Sequence, residues 1–164
     1  MDKVFQYRAT LPKIKTFLRV YDIKADTTLF KLHSFLQNDL GFSPDQMALF
    51  RGVDEDGVVL SNYGLFDLGD GTMDTVTISD CIDRGQVMLH YIYNVKMGLY
   101  IILNFVQESE FSQRKSYPRL LQEKGRNPDQ FSAEYDDYEA LQEEMGITSE
   151  EEFEEEDGFQ ITED

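Results

Sequence analysis

Two histidines, one cysteine and two short acidic loops hold the side chains that could carry out chemistry in this 164-residue chain. His33 and His90 could act as general bases or metal ligands, because an imidazole titrates near neutral pH. They are far apart in the sequence, and no pattern brings them together. Two interpretations of His33 stay open: a histidine at the rim of the core, which we favour, and a ligand or general base.

Cys81 is the single cysteine of the chain, so it cannot form an internal disulfide. No motif sets a base beside it, and one cysteine cannot supply a zinc cluster. We interpret Cys81 as structural. Sparse cysteine also fits a reducing compartment, and we predict a cytoplasmic location.

Two acidic loops, Asp54 to Gly57 and Asp67 to Asp74, invite a calcium interpretation. A calcium-binding EF-hand loop needs oxygen ligands at its first and twelfth positions and glycine at its sixth. With Gly57 at the sixth position, Gly52 and Tyr63 fall at the first and twelfth, and the second loop also lacks a carboxylate at its first position. We therefore expect solvated turns and no metal site.

Signatures of known enzyme classes are absent from the sequence, which has no G-x-S-x-G, H-E-x-x-H, P-loop or G-x-G-x-x-G pattern. We assign no catalytic residue, no cofactor and no metal ligand. An enzyme with an unrecognised site would have to use His33, His90 or the loop from Asp67 to Asp74.

The net charge is concentrated at the C-terminal end of the chain. Residues 127–164 contain 16 Asp and Glu and no Lys or Arg, whereas residues 1–126 contain the other 16 acids and all 15 bases. We predict a body over residues 1–126 and an acidic, helical and partly disordered tail over residues 127–164. An acidic surface repels phosphates and anionic lipids and attracts cationic surfaces. We thus expect a basic protein partner, with no direct nucleic-acid or membrane binding.

The candidate interaction residues form an acidic and a basic group. The acidic group contains like charges one helical turn apart, which favours fraying unless a cationic partner is present. Its members are Glu150, Glu151, Glu152, Glu154, Glu155 and Glu156. Phe159 beyond them is either an anchor or an incidental apolar residue. The basic group is Arg114, Lys115, Arg119 and Arg126.

Alternating apolar residues and turn signals predict several strands. They cover Val4 to Leu11, Thr16 to Lys24, Met47 to Arg51, Val58 to Leu60, Val87 to Val95 and Leu99 to Val106. The last is apolar on both faces, so it should lie centrally in a sheet or on a face closed by a helix, a tail or another subunit. A homodimer therefore stays open.

One main helix is predicted to follow Thr28, with Leu29, Leu32, Leu36 and Leu40 on one stripe and Gly41 at its end. We expect an α+β fold: a mixed, largely antiparallel sheet packed on this helix. Ser132 is predicted to cap a further helix in the acidic appendage, which ends at Gly146.

The segment Ala25-Asp26-Thr27-Thr28-Leu29, together with Leu32-His33, Tyr91-x-Tyr93 and Tyr117-Pro118-Arg119, resembles the plasmid pRiA open-reading-frame-three-like family. Its members are often labelled insertion-element passenger proteins or TnpR. The resemblance covers roughly residues 4 to 130 and leaves the acidic tail outside. It implies a compact α+β domain with a β-grasp-like layout, a mobile-element context and no established activity. Tyr91 and Tyr93, with His33, are weak candidate site residues.

The sequence departs from that family where a polar site would lie. Asn94 to Met97 replaces the family's acidic and aromatic stretch, and Leu120 and Asn127 stand at its cysteine positions. A thiol or metal role of relatives therefore does not carry over. The resolvase activity that the TnpR label implies does not carry over either, because no Lys or Arg follows Arg126 to hold DNA.

Three functions follow from these observations. The first is a non-enzymatic interaction or regulatory module whose acidic tail engages a basic partner or its own basic group. The second is an acidic mimic of nucleic acid that occupies a DNA-binding protein. The third is an enzyme with an unrecognised site near His33.

Overall fold

A computed structural model describes residues 2 to 135 as one seven-stranded sheet and two helices. The strands run in the order β4-β3-β5-β6-β1-β2-β7 across the sheet. The strands are β1 Val4–Leu11, β2 Ile14–Lys24, β3 Leu49–Val53, β4 Val59–Tyr63, β5 Met88–Asn94, β6 Leu99–Ser109 and β7 Arg119–Lys124, and the helices are α1 Leu29–Leu40 and α2 Ile78–Asp83.

Each strand pair of the sheet is antiparallel. Short turns join β1 to β2, β3 to β4 and β5 to β6, and such turns can only join antiparallel neighbours. The predicted largely antiparallel sheet is confirmed. The parallel strand pairs of a mixed sheet are not found in residues 2–135, where parallel pairing is limited to an isolated bridge between Gly64 and Thr72.

The alternation in β1 places one face of the sheet in the core, as the sequence predicts. Phe5, Tyr7, Ala9 and Leu11 are buried on this face, and Val4 is also buried at the start of the strand. β6 lies between β5 and β1, so the strand that is apolar on both faces is central. Its Phe105 ring meets the rings of Phe5 and Tyr7 edge to face, an arrangement that adds to the gain from burial alone.

α1 begins and ends where the sequence predicts. The Thr28 side chain accepts a hydrogen bond from the backbone N–H of Lys31, and Gly41 ends the helix in the left-handed conformation at φ 71°. The four leucines of the stripe are buried. α1 contacts β2, because the Tyr21 hydroxyl donates to Asp39 at 2.8 Å and the Tyr21 ring meets Phe35 edge to face.

Part of the basic group lies on an edge strand, β7, which the sequence pattern did not predict. Among residues 2–135, β7 pairs with β2 alone, and it contains Arg119 and Lys124. Charged side chains are usual on edge strands because they discourage pairing with other chains. Arg114 and Lys115 precede β7 on an exposed turn.

Segment 127–131 contacts the body. Asn127 Oδ1 accepts from Arg19, and the Gln130 side chain exchanges two hydrogen bonds with the backbone of Ser43. The boundary after Arg126 stays a prediction, but a truncation at that residue would remove these contacts. A shortened chain should therefore retain at least Gln130.

Residues 132–135 are not helical, so the helix predicted after Ser132 does not begin there. The Asp129 side chain instead accepts from the backbone N–H of Phe131 in a turn. The rest of that predicted helix, and the acidic group, lie outside the described residues. Within residues 2–135, neither helix combines the length and apolar character that crossing a bilayer requires.

Candidate functional site

His33 and Tyr91 are brought together in the core, although they lie 58 positions apart in the sequence. His33 comes from α1 and Tyr91 from the middle of β5. Nδ1 of His33 lies 2.7 Å from the Tyr91 hydroxyl oxygen, and the Phe50 ring packs on Tyr91. This hydrogen bond satisfies two polar groups that the helix and the sheet bury against each other.

Burial sets the proton chemistry of this pair. His33 is 5% exposed, and loss of hydration lowers its pKa because the charged imidazolium is disfavoured away from water. Burial raises the pKa of Tyr91 for the same reason. Both groups are therefore neutral at pH 7. A general base must reach its substrate, and this pair is closed to solvent.

Acidification is expected to destabilise the protein partly through His33. Its pKa is lowered in the folded state, so the unfolded chain binds the proton first once the pH falls below the ordinary histidine pKa of 6.5. Stability present at pH 7 should then be lost towards pH 5, at up to about 1.4 kcal/mol per pH unit. Urea unfolding at pH 7, 6 and 5 measures this loss.

The matched variant is His33→Gln, which removes the titrating group and keeps a polar partner for Tyr91. Its free energy of unfolding should fall less steeply between pH 7 and pH 5 than that of the wild type. His90 also has a lowered pKa, from burial and from nearby Arg51, so some dependence should persist in the variant. If the free energy of unfolding falls equally steeply with pH in the two proteins, His33 does not contribute.

Tyr93, the third weak candidate, does not join the pair. Its ring stacks on Phe42 at 4.5 Å between centroids. Burial and the nearby Asp129 raise its pKa to about 12. Asn94, next along β5, donates to the backbone of Gln130 at 2.9 Å. This end of β5 therefore holds segment 127–131 against the body.

His90 lies on the opposite face of β5 in a stack with two other residues. Its ring lies 4.6 Å from that of Tyr100, and the Arg51 guanidinium lies 5.3 Å from the same Tyr100 ring. Within the part of the chain that the structure describes, Arg51 Nε and His90 Nδ1 are buried without a hydrogen-bond partner. The sequence did not predict this stack, because its members come from three strands and only their register aligns them.

A polar network around Gln86 was also not predicted. The Tyr63 hydroxyl donates to Gln86 Oε1 at 2.7 Å, Gln86 Nε2 donates to Ser61 at 2.9 Å, and Arg84 donates to the Tyr63 oxygen at 3.0 Å. These residues join β4 to the segment between α2 and β5. An isolated glutamine has no signal in sequence that would reveal such a role.

Cys81 is buried in α2, and burial raises the pKa of its thiol to about 12. A thiol that stays protonated is a weak nucleophile. This agrees with a structural role.

The two acidic loops are turns built on aspartate. Asp54 accepts backbone N–H groups of Asp56 and Val58, and Asp67 accepts those of Gly69 and Gly71. Within residues 2–135, no group of three His, Cys, Asp or Glu side chains is arranged to hold a metal ion.

The described residues thus define an α+β protein with a seven-stranded antiparallel sheet and a buried histidine–tyrosine pair. The chain belongs to the family described as plasmid pRiA4b ORF-3-like protein, whose model matches residues 3 to 161. This confirms the resemblance found in the sequence. The match also includes most of the acidic tail, so the expectation that the tail lies outside the family is wrong.

A solved structure shares the fold. It is the crystal structure of MM3350, a protein of unknown function from Methanosarcina mazei Go1. The TM-score is 0.67 at 15% sequence identity, over 78% of this chain and 72% of that chain. No functionally curated protein matches the sequence.

Proposed function

We propose that this protein is a non-enzymatic interaction or regulatory module whose acidic C-terminal segment binds a basic surface of a partner protein in the cytoplasm. The charge distribution carries this proposal, because residues 127–164 have 16 acids and no base. A segment of one sign attracts a partner of the other sign over about 8 to 10 Å at moderate salt. A mobile-element context belongs to the proposal, because the family description refers to a plasmid.

The geometry of the body supports binding over catalysis. The groups best suited to proton transfer, His33 and Tyr91, are buried and hydrogen-bonded to each other. The thiol of Cys81 is buried as well. An enzyme near His33 would need an opening to the core, so we rank that hypothesis below an interaction module.

Neutralising part of the acidic group is expected to weaken partner binding about three- to ten-fold at low salt, because exposed charge pairs each contribute little. The variant changes Glu154, Glu155 and Glu156 to Gln. A pull-down from lysate with a salt gradient and mass spectrometry identifies the partner. Isothermal titration with the purified partner then gives the affinity of each variant.

The matched control changes the same charge on the body: Glu55→Gln, Asp56→Asn and Glu110→Gln, three exposed positions. If both triple variants bind equally well, the acidic segment is a solubility tail. If the partner is a DNA-binding protein and DNA competes for it, the module is an acidic mimic of nucleic acid. If the wild-type protein retains no partner at low salt, the proposal fails.

A further inference from the structure

An apolar cleft opens between the start of α1 and the loop that joins β4 to α2. The cleft has a volume of about 170 Å³ and is lined by Phe30, Leu65, Met73 and Asp74. Met73 is buried and forms its floor, whereas Phe30 and Leu65 are 47% and 42% exposed. The cleft is thus open to solvent with an apolar interior.

Backbone hydrogen bonds hold the cleft open before anything binds. Phe30 N–H donates to the carbonyl of Met73 at 2.9 Å, and Met73 N–H donates to the carbonyl of Gly64 at 2.9 Å. The first bond ties the first turn of α1 to Met73, and the second ties Met73 to Gly64 at the start of the loop. A preformed site loses less conformational entropy when a partner binds.

Further exposed apolar side chains lie on the same loop. Phe66 and Leu68 are 75% and 56% exposed, which is unusual for side chains of this size. The loop is ordered, because Asp67 accepts the N–H of Gly69 and Asp70 accepts the N–H of Asn62. Exposed apolar side chains that cluster are typical of protein-binding surfaces.

The loop beside the cleft is acidic, and the carboxylate of Asp74 lines the cleft itself. Asp67, Asp70 and Asp74 are exposed and alternate with the apolar residues of the loop. In the part of the chain that the structure describes, none of the three carboxylates has a lysine or arginine within ion-pair distance. We call these three residues the acidic rim.

We infer that this cleft binds a basic segment of the partner protein, which inserts one aliphatic or aromatic side chain between Phe30 and Leu65 and sets Lys or Arg against the acidic rim. The inference rests on the proposed function, since it assumes a basic partner. Charge complementarity selects this occupant. The acidic tail of the same chain, or a second copy with a net charge of −17, would meet repulsion at the rim.

The test uses full-length protein and three synthetic peptides, measured by fluorescence anisotropy. The first has a Phe-Leu pair between two runs of three lysines, the second has Ser-Ser in place of Phe-Leu, and the third has glutamates in place of the lysines. The first should bind saturably and at least about ten-fold more tightly than the second, because it alone supplies an anchor. The third should not bind. Methyl NMR should show shifts at Leu65 and Met73.

Two matched variants locate the anchor. Leu65→Ser should weaken the first peptide about five- to ten-fold, because one wall of the cleft is lost. Val58→Ser removes a similarly exposed side chain, 53% accessible, on the turn before β4 and should leave affinity unchanged. Asp74→Asn keeps the acceptor for Thr72 and should reduce affinity less than Leu65→Ser.

The outcomes separate this inference from the proposed function. Loss of peptide binding in the acidic-tail variant with no effect of Leu65→Ser would overturn the cleft and leave the tail as the binding element. If Leu65→Ser loses peptide binding and the acidic-tail variant keeps it, the result supports the cleft and counts against the tail as the binding element. Equal binding of the Phe-Leu and Ser-Ser peptides, or no peptide binding, overturns the inference. So does a dimer that Leu65→Ser converts to monomer, because the occupant would then be a second copy.

Discussion

Replacing Gly52 by alanine is expected to destabilise the protein by about 3 kcal/mol, because the added methyl group and the Gln86 side chain would occupy the same space. A Cβ on Gly52 would overlap the Gln86 amide and approach its Cγ to 2.9 Å. Gln86 cannot move away without breaking its buried bonds to Tyr63 and Ser61. Urea unfolding monitored by circular dichroism gives the free energy of unfolding.

The control for this prediction is a double-mutant cycle with Gln86→Ala. Removing the glutamine side chain eliminates the contacts that the new methyl group would make, so Gly52→Ala should cost much less in that background. The coupling energy reports the steric conflict directly. If Gly52→Ala costs the same with and without Gln86, the cause lies in the intrinsic properties of β3 instead.

Replacing Arg19 by methionine is expected to cost roughly 3 kcal/mol, because three backbone carbonyl groups and the Asn127 side chain lose a charged donor from partly buried hydrogen bonds. Arg19 is 2% exposed and donates to the carbonyls of Leu18, Lys124 and Gly125 and to the Asn127 side chain, at 2.8 to 3.0 Å. Its guanidinium also lies 4.5 Å from the Phe17 ring centroid. One side chain therefore fastens β2, the end of β7 and segment 127–131 together.

The loss of stability in Arg19→Met should be greatest near β7, in addition to the loss for the whole protein. Hydrogen exchange should show that amides of β7 lose more protection in Arg19→Met than those of β5 or β6, because β2 is the one strand of the described sheet that pairs with β7. Arg19→Lys should be intermediate, since an ammonium group cannot reproduce the planar set of donors. Arg8→Met on the exposed side of β1 is the control and should change stability little. Uniform loss of protection across the sheet would contradict the local role.

The sequence predicted the elements whose signals are local. The alternation of β1 and the leucine stripe of α1 follow from the residue pattern alone, and so do the helix ends at Thr28 and Gly41. Asp54 forms the expected turn. These signals were sufficient because each depends on neighbours within about four residues.

Elements with mixed polarity were harder to predict. β7 has charged residues at both ends, and its six residues are all intermediate or exposed, so it resembles a basic surface segment more than a strand. The second strand was predicted to begin at Thr16, yet β2 begins at Ile14, and the turn before it is limited to Pro12 and Lys13. Edge strands and hairpin ends are stabilised by their partner strands, which a single segment does not reveal.

The candidate sites also divide into those with a local signal in the sequence and those that depend on distant residues. The sequence supplied the acidic tail and the basic group, because charge is a property of composition. It also identified His33 and Tyr91 separately. It could not show that they form one hydrogen bond, or that His90, Tyr100 and Arg51 stack on the other face. Such sets are defined by strand register and by individual contacts between α1 and the strands.

The sequence by itself therefore determined the family, the main helix, the largely antiparallel character of the sheet and the separation of charge along the chain. Only the tertiary structure showed the strand order and the hydrogen bonds by which Arg19 holds the end of β7. It also decided the need for glycine at position 52 and the cleft between Phe30 and Leu65. The reason is physical: periodicity and charge act over a few residues, whereas packing joins side chains that are distant in the chain, and only the fold sets their separation.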